Sequence, residues 1–187
     1  NQNGHNARSI KEPEKNSIIE ILKGKNKNVS VLVWTTTPWT LPSNLALALG
    51  RDFVYEILEN DNEIVIIEQN CLGKYQKELG DFNKIADIKG EDLLGYRYYP
   101  LFEYFKDDSR LIGYSDMHFR ILHGDFVTTQ DGTGIVHIAP GFGEDDQALC
   151  KKHNIRTICP VDEAGRFTCE IFDIDCLSLQ NRQVFET

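Results

Sequence analysis

The chain has 187 residues, of which 20 are basic and 29 acidic, giving a formal net charge of −9 at neutral pH. This length predicts one domain with its own hydrophobic core. The negative charge argues against a module that grips nucleic acid phosphates by itself, although a pocket for one nucleotide end presented by another domain is compatible with it. No apolar run is long enough to span a membrane, and we expect a cytoplasmic location.

The N-terminal part begins with a polar leader, residues 1–27, in which the short apolar segment 17–23 predicts an edge strand. Residues 28–37 are β-branched and aromatic, which predicts a buried strand. Two prolines then interrupt regular structure, and a second apolar run covers residues 45–49. We expect this run to lie in the core.

The middle of the chain contains a hairpin pattern. Residues 53–58 and 63–68 are apolar segments that flank an Asn-Asp-Asn turn, and they predict two paired strands. The apolar spacing over residues 69–79 predicts a helix, and residues 85–88 predict a further strand. An aromatic-rich stretch follows over residues 93–105.

The C-terminal half predicts more short strands and one helix. Residues 118–129 and 133–139 are strand candidates separated by a tight-turn signal. A helix is predicted to run from the acidic residues after Gly143 to about Asn154, with acids in its first turn and lysines in its last. Together these elements predict an α+β domain, strand-dominated and barrel-like, with two or three helices. Strands or extended segments are also predicted over residues 155–160 and 166–174.

The five cysteines predict no disulfide and no metal site, because their number is odd and their spacing matches no zinc or redox motif. Reduced thiols fit a cytoplasmic protein. Cys150 falls within the predicted helix, where we expect a buried structural thiol rather than a nucleophile. The five are Cys71, Cys150, Cys159, Cys169 and Cys176.

Residues 34–44 (WTTTPWTLPSN) are a first candidate for chemistry. Consecutive threonine hydroxyls at a strand end offer donors and acceptors to a ligand. The residues are equally compatible with a purely structural role, because threonine is a good strand former and proline ends strands.

Residues 131–146 (DGTGIVHIAPGFGEDD) contain two further candidates. His137 lies on a predicted strand, where a lone histidine is commonly structural. Glu144, Asp145 and Asp146 crowd a helix start, and dipole and capping chemistry alone would explain Glu144 and Asp145. A carboxylate there could also pair with an ammonium ligand. The segment is not a phosphate loop, because it lacks the Gly-Lys-Ser/Thr sequence of that motif and is acidic, which would repel a phosphate.

Together these motifs resemble the editing domain, also called connective polypeptide 1, of the class I synthetases for isoleucine, valine and leucine. The threonine-rich motif is one of the family's signatures. The second is the GTGIVHIAPGFGEDD motif, in which His137 and Asp146 stand in the family's spacing. Residues 90–100 and 160–168 also look like family segments, and the resemblance covers about residues 28–175 in order.

Thr37-Pro38-Trp39 is similar to the isoleucyl form of the family, since the valyl and leucyl forms have an arginine before the proline. Phe142 stands where bacterial forms commonly have histidine, which resembles the eukaryote-like branch. The HIGH-like and KMSKS-like signatures of a synthetase's catalytic domain do not occur. The resemblance therefore implies an editing domain over residues 28–175, with residues 176–187 leading toward the rest of a parent synthetase.

The resemblance implies hydrolysis of the ester in mischarged valyl-tRNA(Ile), by water attack in a pocket that excludes isoleucine. Asp146 would pair with the α-ammonium group and His137 would limit the size of the side-chain pocket. Thr36, Thr37 and Asn44 would hold ribose, adenine or the attacking water. The resemblance thus implies a catalytic set made of Asp146, His137, Thr36 and Thr37. Gly141 and Phe142 are further candidates for substrate contact, and Thr35 and Trp39 are weaker ones.

Two alternatives stay open from the sequence. One is a binding module for adenosine or an aminoacyl-adenylate that does not hydrolyse it, and the other is pre-transfer editing of valyl-adenylate. In every case the resemblance implies no cofactor in this domain, with ATP and Mg²⁺ serving the parent's catalytic domain. The implied partners are the 3′ aminoacyl-adenosine end of tRNA(Ile) and the other synthetase domains, with no membrane and a monomeric chain.

Overall fold

The computed structural model describes residues 16–172. This part of the chain folds into short strands, three α-helices and two 3-10 helices, the latter over Pro38–Ser43 and Leu72–Tyr75. The helices are α1 (Asn16–Leu22), α2 (Gly90–Leu93) and α3 (Glu144–Lys152). The strands are β1 (Asn28–Val31), β2 (Ala46–Leu49), β3 (Val54–Glu59), β4 (Glu63–Glu68), β5 (Asn83–Lys89), β6 (Ile121–His123) and β7 (Ile135–Ile138).

The strands form two sheets, with orders β1-β4-β3-β5 and β6-β2-β7. The predicted hairpin is confirmed as β3 and β4, which pair antiparallel, while β1 joins β4 in parallel. Trp34, just beyond β1, bridges to Val136 on β7, and the amide of Glu68 donates to the carbonyl of Thr133 at 3.1 Å. These contacts connect the edges of the two sheets. The predicted strand-dominated α+β class is confirmed.

Strand β2 lies at the centre of the smaller sheet, and all four of its residues are buried. Ala46 and Ala48 contribute to one apolar cluster, and Leu47 and Leu49 to another. Because side chains alternate across a strand, an uninterrupted apolar run is what a strand between two cores requires. This central strand holds β7, and therefore His137, in register beside it.

The predicted edge strand at residues 17–23 is wrong, since this segment forms helix α1. Ile18 is buried, and Ile21 and Leu22 pack on the same apolar cluster. Their i, i+3, i+4 spacing is that of one helix face, and this periodicity outweighs the β propensity of isoleucine. The rest of the leader, residues 1–15, lies outside the described residues.

The predicted helix over residues 69–79 is also wrong, since only Leu72–Tyr75 forms a 3-10 helix and turns follow. Gly73 lies inside the segment and disfavours a longer helix. The apolar side chains of Leu72, Tyr75 and Leu79 cover a small cluster on the outer face of the hairpin instead. The predicted strand at residues 28–37 is shorter than expected, and its residues are half-buried or exposed at a sheet edge.

Strands β6 and β7 do not form the hairpin that the turn signal between them predicts. Strand β2 lies between them, parallel to β6 and antiparallel to β7. Local turn chemistry is outweighed here by the pairing that both edges of the buried β2 require. The predicted segments at residues 155–160 and 166–174 form no regular strand within the described residues, where the bridge from Val161 to Phe167 is the one pairing nearby. Residues 173 and 174 lie outside the described part.

Helix α3 confirms the predicted C-terminal helix, with three acids in its first turn and two lysines in its last. Cys71, Cys150, Cys159 and Cys169 are free thiols, and the first two are buried. Burial raises the pKa of the Cys150 thiol to about 12, which fits the predicted inert role. Cys176 and the predicted connection at residues 176–187 lie outside the described residues. No helix within residues 16–172 is long and apolar enough to cross a membrane.

Candidate functional site

A cleft of about 510 Å³ lies between residues 34–44, here called the threonine-rich loop, strand β7 and the start of α3. Most of the site residues predicted from the sequence meet here, although they come from segments far apart in the chain. Asn44 and Gly141 are the two that do not line it. The predicted residues that do are Thr35, Thr36, Thr37, Trp39, His137, Phe142 and Asp146.

The threonine-rich loop is a strand end that turns into a 3-10 helix with Pro38 at its first position. Proline suits that position, because its fixed φ fits a helix start and its missing N–H is not needed there. The Oγ1 of Thr35 accepts from the backbone amide of Thr37 at 3.1 Å, which holds the turn. Thr36 is exposed and its hydroxyl has no hydrogen bond within the described residues. This hydroxyl is therefore available to a ligand in the cleft.

His137 lies on the floor of the cleft with only 7% of its surface exposed. Its Nε2 is 2.9 Å from Thr40 Oγ1, and its Nδ1 is 2.8 Å from Asn44 Nδ2. Both ring nitrogens are therefore occupied. Burial lowers the pKa of His137 to about 4, so the imidazole is neutral at physiological pH.

The depressed pKa of His137 predicts a pH-dependent stability. Between about pH 6.5 and pH 4 the unfolded chain binds a proton at this residue while the folded chain does not. We therefore expect the free energy of unfolding to fall as the pH is lowered from about 6.5 to 4, by up to about 3 kcal/mol.

Urea unfolding at a series of pH values measures this decline. His137→Gln lacks the titration and should show a shallower slope, while the carboxylates contribute equally to both proteins. If the free energy of unfolding changed with pH equally in the two proteins, the pKa of His137 would not be lowered by folding.

Asp146 is in the first turn of α3, and its Oδ2 accepts from the backbone amide of Ala139 at 2.7 Å. This bond ties the helix start to the end of β7. Oδ1 has no hydrogen bond within residues 16–172, and the side chain is half-buried at the cleft. Burial raises the pKa of this carboxyl, since removing water disfavours the charged form. A cation that enters the cleft would offset this cost.

Two glycines permit close packing around the site. Gly134 has φ +74°, and a Cβ there would lie 2.3 Å from Glu68 Cβ, so only glycine fits at the start of β7. A Cβ on Gly141 would lie 2.6 Å from the carbonyl oxygen of Ile158. Gly141 therefore packs against the chain behind the cleft and does not line the cleft itself.

Several residues that line the cleft were not singled out by any sequence pattern. Trp34, which could equally have been core, is 36% exposed and lines the cleft, as does the 46% exposed Trp39. Thr40 stood within the threonine-rich motif, but no local pattern distinguished it from its neighbours. Phe126 and Thr128 also line the cleft, and no pattern in their sequence pointed to a site. Asp131 lines it too; it opens the motif at residues 131–146, but nothing distinguished it within that motif. No group of three His, Cys, Asp or Glu side chains within residues 16–172 could hold a metal ion.

No family model matches the chain, but similar proteins exist among known sequences. The isoleucine–tRNA ligase of Rickettsia bellii strain OSU 85-389 is 48% identical over 156 residues, which is 82% of this chain and 13% of that protein. The isoleucine–tRNA ligase of Rickettsia felis is 49% identical over 154 residues, 81% of this chain and 13% of that protein. The chain is homologous to one segment of the isoleucine–tRNA ligases. It spans 13% of the length of these relatives.

Solved structures that resemble this chain identify its fold. The crystal structure of GlLeuRS-CP1 matches with a TM-score of 0.58 at 18% identity, over 94% of this chain and 75% of that one. The P. falciparum cytosolic leucyl-tRNA synthetase editing domain matches with a TM-score of 0.54 at 16% identity, over 82% and 63%. The predicted editing-domain fold is confirmed, while the eukaryote-like branch stays a prediction.

Proposed function

We propose that this chain is an editing hydrolase that releases valine from mischarged valyl-tRNA(Ile) after transfer. The observation that carries the proposal is the placement of Asp146, His137 and the threonine-rich loop around one cleft. A half-buried carboxylate, a neutral imidazole floor and the hydroxyl of Thr36, which has no hydrogen bond within residues 16–172, match an aminoacyl ester, which has an ammonium group, a small apolar side chain and a ribose.

A second pocket is needed because a binding site for isoleucine rejects valine poorly. One missing methylene is worth about 1–3 kcal/mol, the isoleucine–valine pair being the reference case for this magnitude. A smaller pocket that admits valine and excludes isoleucine supplies the remaining discrimination. His137 suits that role, since both of its ring nitrogens are bonded and its ring is held as a fixed wall.

Asp146 would bind the α-ammonium group through its unoccupied Oδ1. A charge-assisted hydrogen bond in a half-buried site is about twice as strong as a neutral one. The bond from Ala139 to Oδ2 holds the carboxylate in place before the substrate arrives. Orientation of the ester would follow from this contact.

The reaction is hydrolysis of an activated ester. A water oxygen attacks the ester carbonyl carbon, the bond to the ribose oxygen breaks, and the ribose oxygen leaves with a proton as a hydroxyl. Free valine and tRNA result, with no covalent enzyme intermediate. The hydroxyls of Thr36 and Thr37 would position the water or the ribose, and polarising hydrogen bonds can suffice for a substrate of this reactivity.

The exposed indoles of Trp34 and Trp39 offer stacking surfaces for the terminal adenine. The net charge of −9 fits a domain that meets only this end of the tRNA. The body of the tRNA would then be bound by the other domains of the ligase. ATP and Mg²⁺ would serve those domains, and none would be needed for hydrolysis in this one.

The test is deacylation of labelled valyl-tRNA(Ile) and isoleucyl-tRNA(Ile), by this chain alone and by the ligase that contains it. Loss of valine well above the uncatalysed rate, with isoleucine retained, is the expected result. Valine retained by both proteins would refute the proposal. Release from valyl-adenylate but not from valyl-tRNA would favour pre-transfer editing instead, and binding of either without release would favour a non-hydrolytic module.

A further inference from the structure

Tyr98 is not among the cleft-lining residues, yet its side chain is connected to them. Its ring packs edge-on against Phe119 at 6.2 Å in the larger apolar cluster. Its hydroxyl donates to Asn44 Oδ1. Desolvation raises the pKa of Tyr98 well above its ordinary value, so this hydroxyl keeps its proton and acts as a donor.

The amide of Asn44 is fully used in one orientation. Its oxygen accepts from Tyr98, and its nitrogen donates to the carbonyl of Ala46 at 2.8 Å and to His137 Nδ1 at 2.8 Å. An amide has one acceptor atom and two N–H donors, so a flipped side chain would leave contacts unsatisfied. Tyr98 and Ala46 therefore orient Asn44 from opposite sides.

The orientation of Asn44 determines the protonation of His137. Because Nδ1 accepts, the proton of the neutral ring is on Nε2, which donates to Thr40 Oγ1 at 2.9 Å. The hydroxyl of Thr40 in turn donates to the carbonyl of Thr37 at 2.8 Å. The four hydrogen bonds that lead from Tyr98 to Thr37 therefore have the same donor direction, from the aromatic core to the threonine-rich loop.

We propose that Tyr98 is a positioning residue, which orients Asn44 and so fixes the tautomer and ring plane of His137 at the floor of the cleft. Asn44, which the sequence suggested as a ligand contact, then acts behind the imidazole. The consequence for selectivity rests on the proposed function, but the tautomer itself is a property of the free protein. A fixed ring gives the pocket a fixed size. A mobile ring would let the pocket admit isoleucine as well as valine and so lower its selectivity.

The first test is ¹⁵N NMR of the imidazole nitrogens in the ligand-free chain. The wild type should show a protonated Nε2 and an unprotonated Nδ1 for His137. Tyr98→Phe keeps the packed ring and removes only the hydroxyl, and we expect both signals to move toward the average of two tautomers. Asn44→Ala should move them further, since Nδ1 then has no donor.

Tyr55→Phe is the matched control. Tyr55 is also buried, and its hydroxyl donates to the carbonyl of Gly134 at 2.8 Å. Its loss should lower stability to a similar extent while leaving the His137 signals unchanged. An unchanged His137 spectrum in Tyr98→Phe would overturn the proposal, because the Ala46 carbonyl alone would then orient the amide. Equal changes in both tyrosine variants would overturn it as well.

The second test is the ratio of valyl to isoleucyl ester hydrolysis. We expect Tyr98→Phe to lower this ratio about tenfold, the lower end of the roughly tenfold to two-hundredfold discrimination that one methylene allows, and Tyr55→Phe to preserve it. If neither the wild-type chain nor the ligase that contains it hydrolyses valyl-tRNA(Ile), the proposed function fails while the NMR result still decides the role of Tyr98. If tautomers change but the ratio does not, the ring position is irrelevant to selectivity and that part of the proposal is wrong.

Discussion

Asp146→Asn is expected to slow the deacylation of valyl-tRNA(Ile) about a hundredfold, because it removes the charge that pairs with the substrate ammonium. The asparagine oxygen can still accept from the amide of Ala139, so the junction between β7 and α3 is kept. Burial raises the pKa of Asp146, which means that the ionised carboxylate costs free energy in the folded state at neutral pH. The melting temperature should therefore stay the same or rise.

Asp145→Asn provides the matched comparison for this substitution. Asp145 precedes Asp146 on the same helix turn and carries the same charge, but it is exposed and does not line the cleft. Initial rates and melting temperatures of the two variants separate a local contact from a general charge effect. Equal losses of activity in both would argue against ammonium binding by Asp146.

His137→Ala is expected to lower the discrimination between valyl and isoleucyl esters between about tenfold and two hundredfold. The reason is that removing the imidazole leaves space for the extra methylene of isoleucine, whose exclusion is worth about 1–3 kcal/mol. We expect isoleucyl-tRNA(Ile) to become a substrate, with a smaller change for valyl-tRNA(Ile). The measurement is kcat/KM for both esters.

His118→Ala serves as the control for losing a buried histidine. His118 is 8% exposed, and its Nδ1 bonds to the carbonyl of Ser115 away from the cleft. This variant should lose stability and keep its ester preference. If His137→Ala instead abolished hydrolysis of both esters, the imidazole would take part in catalysis. A role limited to setting the size of the side-chain pocket would then be wrong.

Sequence patterns predicted the parts of this fold in which local and long-range preferences agree. The hairpin of β3 and β4 and the charged ends of α3 are examples, since each is specified by its own residues. The segment at residues 17–23 was mistaken for a strand, because three isoleucines favour β structure while their spacing favours a helix. The partners of β2 could not be read from the sequence, because pairing between distant segments leaves no local signal.

The candidate site divides in the same way. His137, Asp146 and the threonines stood out through their motifs, and the structure brings them to one cleft. Asn44 was correctly associated with these motifs, but the structure places it behind the histidine rather than among the lining residues. Tyr98 could not have been found, because nothing in an aromatic-rich stretch distinguishes a tyrosine that bonds to a distant amide from its neighbours.

The pairing of β2 with β6 and β7 affects how the molecule can be made. Thr40 and His137, which bond directly, are 97 positions apart. At translation rates of about 5–20 residues per second, the ribosome needs roughly 5–20 s to synthesise the chain between them. Until then β2, whose four residues are all buried in the final fold, lacks at least one of its two neighbouring strands and presents an unpaired apolar edge. Contacts of such sequence separation also fold slowly, so the nascent chain is exposed to mispairing and aggregation before its cleft can exist.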